Sequence, residues 1–268
     1  MKVVIAASLL TVLAAANVLA QLPGPNKSQI KEAEQQLSAL GYWTGPIDGL
    51  FDAGTRSAVI AFQKWNAREV TGQLTVEELA AIHNSAAPRA RELGYQHVEV
   101  DLDRQVLMLV REEGDVKVLP VSTGNNQTFV DEGQESLAYT PRGRFLVYYK
   151  EAGWKSGSLG STYYANFISG GVAIHGSRNV PNAPASHGCI RIPMFAAREV
   201  SRLLKLGTIV LVYDRISFVS ARDWAKNPKL KEAALANIAA DDDYVLDTPT
   251  AKSKSLNVRK PRPKLVRS

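Results

Sequence analysis

The feature that most constrains this chain is a change of hydrophobic period part-way along it. Between residues 28 and 83, Ile30, Ala33, Leu37 and Leu40, and then Ala58, Val59 and Phe62, recur at the three- and four-residue spacing of a helix face. From residue 97 onward segments 98–102, 105–110 and 116–121 read as strands, with the alternation of apolar and polar residues that strands show. Residues 86–96, opening with Ala86, Ala87 and Pro88, separate the two patterns and read as a linker. A chain of 268 residues has room for one substantial domain and a smaller one. The pattern therefore predicts an α+β, multidomain protein, with a three-helix bundle over 28–85 and a mainly β domain over 97–213.

Within the first part, Gly41 is a natural stop for the first helix, and the turn-rich stretch 45–52 precedes a second over 55–65. A third helix is expected over 75–83, with Thr75 and Glu78 placed for a capping box. Downstream, Glu112-Glu113-Gly114-Asp115 reads as a hairpin turn, segments 145–149 and 209–213 as further strands, and 194–206 as the one clear helix. The region 150–169 holds Trp154, Tyr163, Tyr164 and several glycines, and reads as a long connection able to cover a site.

The two ends carry signals of their own. Lys2, an apolar run over 3–13 and Val18-Leu19-Ala20 have the order of a signal peptide over 1–20, which implies export. An uncleaved N-terminal anchor is the competing reading, although the run is short for a membrane span, and no stable span is expected after cleavage. A helical extension is expected over 214–240. Beyond it, residues 241–268 place seven Lys and Arg, from Lys252 to Arg267, after Asp241-Asp242-Asp243 and among Pro and Ser. Such a basic tail is expected to be disordered; a solvated extension is the first reading, and attraction to anionic envelope polymers or lipid head groups is the functional alternative. The formal charge is +6, and no nucleic-acid-binding module accompanies it.

Chemistry concentrates in Ser186-His187-Gly188-Cys189-Ile190-Arg191, which holds the only cysteine. One cysteine excludes an internal disulfide and, with four histidines, gives no recognisable metal-ligand cluster, so neither metal nor cofactor is expected. An unpaired thiol in an exported protein is easiest to understand as a nucleophile, and a nearby imidazole is the usual means of activating it. His187 and His175 are both candidates. Gly188 allows a tight turn that would let backbone N–H groups converge on an oxyanion. Arg191, two residues beyond Cys189, would share its face on an extended chain and suit a carboxylate.

His175-Gly176 and the Ser186–Arg191 segment together resemble the signature of the L,D-transpeptidase (YkuD-type) catalytic domain. Val121-Ser122-Thr123-Gly124, Thr140-Pro141-Arg142-Gly143-Arg144-Phe145 and Gly207-Thr208-Ile209-Val210 are similar to that family's recurrent motifs, in the same order. The resemblance implies Cys189 as nucleophile, His175 as general base, the Gly176 carbonyl orienting that ring, His187 in support and Gly188 in the oxyanion backbone. Arg191, Ser186, Tyr163 and Trp154 are the candidates for substrate contact. Leu40-Gly41-Tyr42, Ile47-Asp48-Gly49, Phe62-Gln63 and Thr71-Gly72-Gln73-Leu74 resemble a three-helix peptidoglycan-binding domain, with Asp52-Ala53-Gly54 a departure from its usual pattern. The implied protein is an exported, periplasmic or wall-associated L,D-transpeptidase whose partners are peptidoglycan and its peptide stems. Its alternatives are an L,D-carboxypeptidase that trims stems and a catalytically silent wall-binding protein.

Overall fold

The computed structural model of the protein describes residues 24–215; the expected signal peptide, the expected helical extension beyond residue 215 and the basic tail lie outside that range. Each N-terminal helix begins at a side chain that satisfies its free amides. Asn26 caps α1 (Lys27–Ala39) and closes a reciprocal capping box with Gln29. Asp52 caps α2 (Ala53–Trp65), which is why this helix starts earlier than the apolar pattern suggests. Thr75 caps α3 (Val76–His83), but the Glu78 carboxylate turns to Arg68 at 2.9 Å, so the box expected there is replaced by an ion pair.

Two buried features explain the unusual start of α2. A Cβ at Gly54 would come within 2.3 Å of the Thr44 carbonyl, so the close approach of that loop requires glycine. Glu34, fully buried in α1, accepts from the Gly49 amide at 2.8 Å and the Thr55 hydroxyl at 2.7 Å, fastening the turn and α2 to α1.

The β part runs through β1 (His97–Asp101), β2 (Val106–Val110), β3 (Val116–Pro120), β4 (Thr128–Asp131), β5 (Gln134–Leu137) and β6 (Gly143–Leu146). It continues with β7 (Tyr149–Lys150), β8 (Trp154–Gly157), β9 (Gly160–Ser169), β10 (Val172–Ser177), β11 (Ile190–Pro193), α4 (Met194–Leu203) and β12 (Ile209–Tyr213). A first sheet has the order β3-β2-β1-β12-β6 and a second β11-β10-β9-β7, with β8 paired to β9 and β4–β5 a separate hairpin. The expected strand over 145–149 is split because the chain changes sheets there. Val147 donates to Thr208 in the first sheet's surroundings, and Tyr148 to Phe167 in the second.

The first sheet is covered by the helices. Val106, Met108 and Val110 of β2 and Val118 of β3 join Leu37, Tyr42, Val59, Phe62 and Ile82 in one apolar cluster. Their neighbours Leu107 and Leu109 point the other way, opposite Val100 and Val98. All five residues of β2 are buried, so the run is continuously apolar and lacks the alternation expected of a half-exposed strand. The open edge of β3 is completed by the loop after α1: Val118 donates to Gly41 at 2.8 Å and Trp43 donates to Val118 at 3.1 Å. The segment before β1 is pinned as well, since the amides of Arg91 and Glu92 donate to the buried Glu99 carboxylate.

The region 150–169 is mostly a hairpin, β8 and β9, whose turn reaches the β4–β5 hairpin through a 3.0 Å bond from Ser158 to Asp131. Against β9 and β10 packs α4. This helix is shorter than the predicted 194–206, and Lys150 from β7 takes the carbonyls of Ser201 and Leu204 at its end.

Candidate active site

The site lies where β10 and β11 run side by side. Their parallel register sets His175 opposite Arg191 and Ile174 opposite Ile190. Partners across a ladder share a face, and residues two apart on one strand do so too. His175, Arg191 and Cys189, which immediately precedes β11, thus occupy one face, while Ile174, Gly176, Ile190 and Ile192 occupy the other, against α4. On that second face a Cβ at Gly176 would be 2.5 Å from Ala197 and 3.3 Å from Met194, so the residue after the histidine must be glycine for the helix to dock.

His175 is buried, and its Nδ1 lies 2.9 Å from the Gly176 carbonyl. A carbonyl can only accept, so Nδ1 carries the proton and Nε2 is left with a lone pair. Burial holds the ring's pKa below the usual histidine value; the Gly176 bond works against this and the positive charge of Arg191 adds to it. Cys189 is half-buried, with its sulfur 3.7 Å from the Gly171 carbonyl. Burial raises the thiol's pKa, while a main-chain bond from Ala173 and the Arg191 charge draw it back. Both shifts favour a neutral thiol beside a neutral imidazole, not a pre-formed thiolate–imidazolium pair.

The turn that presents Cys189 is held by hydroxyls. Ser186 Oγ donates to the Cys189 carbonyl at 2.6 Å and accepts the Gly188 amide at 3.0 Å. Thr140 Oγ1 donates to the Gly188 carbonyl at 2.6 Å and accepts the Gly124 amide at 2.9 Å. Gly188 has φ +141° and no room for a Cβ, which would meet the Tyr139 carbonyl at 2.8 Å. Its amide is therefore committed to Ser186 in this state and is not a free oxyanion donor, and the Ser186 hydroxyl is committed to the turn instead of to a substrate.

The other residues singled out from sequence are placed as follows. His187 is exposed and packs on Phe129 of β4, with ring centroids 4.5 Å apart. Arg191 is half-buried on the face of Cys189 and His175, and its backbone exchanges bonds of 3.0 and 3.1 Å with Ser122. Tyr163 pairs with Gly176, and Trp154 with Tyr163, so both lie on the α4 face, with Trp154 under Arg178. The structure does not bring Trp154 and Tyr163 to the face of Cys189. That face carries instead Phe167, opposite Ala173, and Tyr149, opposite Phe167, their rings 5.5 Å apart. Neither was singled out from sequence, because only the register of β9 reveals their side. Among the described residues no group of His, Cys, Asp or Glu is arranged to hold a metal ion.

Residues 95–212 match the family model of the L,D-transpeptidase catalytic domain, and residues 26–82 match that of a peptidoglycan binding domain. An L,D-transpeptidase structure from Xylanimonas cellulosilytica is 35% identical with a TM-score of 0.66, the match covering 71% of this chain and 95% of that one. An L,D-transpeptidase from Stackebrandtia nassauensis is 20% identical over 72% of this chain and 94% of that one, at a TM-score of 0.40. One from Enterococcus faecium is 26% identical over 45% of this chain and 50% of that one, at 0.36. Among curated proteins there is no match to the chain.

Proposed function

This chain belongs to the L,D-transpeptidase family, and we propose from that premise that it transfers acyl groups between peptidoglycan stems through a Cys189 thioester. The observation that carries the reading is the pairing of a lone thiol with a histidine on the same sheet face, the histidine's Nδ1 fixed by Gly176 and its Nε2 open. In the first step the sulfur bonds to the carbonyl carbon at the L-centre of a tetrapeptide stem while its proton passes to His175 Nε2. Collapse of the tetrahedral oxyanion breaks the bond to the terminal D-residue, whose amine leaves with that proton. An amine of a second stem then attacks the thioester carbonyl and gives its proton to His175; the C–S bond breaks and His175 returns that proton to the departing sulfur, restoring the thiol. If water attacks instead, the same site trims stems as an L,D-carboxypeptidase.

Peptidoglycan as partner is supported by the two matched domains together. Action on that polymer belongs outside the cytoplasmic membrane. Among the described residues no helix is long and apolar enough to cross a membrane. The test is mass spectrometry of protein and products after incubation with a defined tetrapeptide muropeptide. Wild type is expected to carry the acyl group on Cys189 and to yield cross-linked dimer. The Cys189→Ala protein, folded with an unchanged melting temperature, is expected to yield none. Product from the folded variant would sink the cysteine mechanism.

A further inference from the structure

Lys64 lies near the end of α2 and is only 6% exposed, yet among the described residues its ammonium meets carbonyls and no carboxylate. Its Nζ donates to the Val121 carbonyl at 2.9 Å and the Gln105 carbonyl at 3.3 Å. Burial of a cation without a counter-charge is unfavourable and lowers its pKa to about 8. A methionine would fill the same space without that cost.

What the two carbonyls belong to gives the lysine its significance. Gln105, at φ +54°, accepts the Val121 amide, and its side-chain amide bonds Thr123 twice, at 2.8 and 3.0 Å. The segment 121–125 then holds the loop of the nucleophile residue by residue. Ser122 exchanges backbone bonds with Arg191, and its hydroxyl takes the Ala183 carbonyl at 2.8 Å. The Thr123 carbonyl accepts from Ala185 and Ser186, Gly124 bridges Ser186, and Asn125 donates to the Ser186 carbonyl. Ser186 in turn fixes the Cys189 carbonyl. The ammonium of the helical half thus anchors the base of a hydrogen-bonded segment whose far side is the turn of Cys189.

We propose that Lys64 is a positioning residue for the Cys189 site, acting from the peptidoglycan-binding half through segment 121–125. The proposal rests on the acyl-transfer reading. It makes the helical half part of the catalytic unit. Being buried, Lys64 is not available to bind a stem, so its loss is expected in kcat and not in KM.

The test compares full-length wild type, Lys64→Met and Lys64→Arg with a soluble tetrapeptide stem as substrate, rates being expressed per iodoacetamide-titratable thiol in protein shown folded by its melting transition. Lys64→Met is expected to lower kcat about tenfold or more with KM within about twofold, and Lys64→Arg, which keeps a cationic donor, to recover most of the loss. A lysine that serves stability alone would lower the melting temperature and the titratable fraction, but leave kcat per thiol within about twofold of wild type; that result overturns the proposal. Should Lys64→Met fail to fold, Lys64→Gln reads the same ratio with a shorter neutral donor. Failure of wild type to form any acyl-enzyme would instead overturn the acyl-transfer reading itself, so the two are separately exposed.

Discussion

Two buried histidines, one in each sheet, differ at a single nitrogen. His97 in β1 is 1% exposed and His175 in β10 is 5% exposed, and each sets Nδ1 2.9 Å from a main-chain carbonyl, that of Tyr95 or of Gly176. At Nε2 they part. His97 meets the Glu99 carboxylate at 3.1 Å, whereas among the described residues nothing takes Nε2 of His175. Burial acts to lower the pKa of both rings. Glu99 and the Tyr95 carbonyl overcome it at His97, whose pKa is raised, and Arg191 reinforces it at His175. A counter-ion turns a buried histidine into part of the framework, and the absence of one leaves a lone pair for chemistry.

The largest effect expected from this division comes from removing what covers the His97 side. Val106 and Met108 of β2 stand opposite Asp101 and Glu99, on the face that the helices bury. Deleting residues 24–85 would expose those side chains and the open edge of β3 together. The truncated chain is expected to lose its cooperative melting transition, and with it stem turnover. A truncated protein that melts cooperatively and turns over soluble stems at the wild-type rate would show that the His175 side is independent of the His97 side.

Next in size is His175→Ala. Loss of a general base lowers rates by about 10²- to 10⁴-fold, and acylation of Cys189 is expected to fall in that range while the melting temperature moves little. In wild type the acid limb of kcat/KM is expected below pH 6.5, because the ring must be neutral to accept a proton and its pKa is lowered. The iodoacetamide profile of Cys189 should not shift upward in the variant, since no imidazolium stands beside the thiol at neutral pH. An upward shift would reveal a pre-formed ion pair.

Sequence pattern made the α+β division and the helical bundle readable, because helix faces carry a period that survives without tertiary context. The proposed nucleophile stood out as well, since Cys189 is unique and sits in a recognisable segment. Which of two histidines would be placed to serve it was not decided by spacing. His187 is nearer in sequence, but only the register of β10 against β11 shows that His175 shares the sulfur's face. Trp154 and Tyr163 were singled out for their composition. Their side of the sheet depends on the pairing of β9 with β10, where two register shifts and a positive φ at Tyr164 displace the simple alternation. Gln105 and Lys64 act through backbone carbonyls and amides distant in sequence, and such partners leave no pattern to read; Thr140 lay in a recognisable motif, but its bond to Gly188 shows only in the fold.

A smaller effect, and on stability alone, is expected from His97→Leu. It leaves Glu99 buried without its cation but still bonded to Arg91, Glu92 and Tyr213, so the loss should be about 3 kcal/mol, at the low end for breaking a buried pair. The signs fix its pH window. His97, with a raised pKa, contributes fully below pH 6.5, and Glu99, with a lowered one, contributes fully above pH 4.5. Urea unfolding of wild type and variant should therefore differ most between those values and converge on either side. Turnover per folded molecule is expected to stay at the wild-type level; a drop would place His97 in the working site.

The smallest effect concerns one hydroxyl on each side of the molecule. Thr140 is 2% exposed and bonds the Gly188 carbonyl, and Thr55 is fully buried and bonds Glu34. Replacing either by valine keeps the shape and strands the buried acceptor, and at Thr140 also the Gly124 amide, at a cost of about 1–3 kcal/mol for each group left unpaired. The cost should be felt differently. At Thr55 it appears as a lower urea midpoint with the rate per folded molecule unchanged, because Glu34 fastens only helices and a turn of the helical half. At Thr140 part of it appears in the rate, since the freed Gly188 carbonyl lets the turn of Cys189 reorient. Acylation is expected to fall about tenfold, and Thr140→Ser, which restores the hydroxyl, to recover it. Equal rates for Thr140→Val and Thr55→Val, measured per titratable thiol, would mean that the turn is held without Thr140 and that the hydroxyl belongs to the framework.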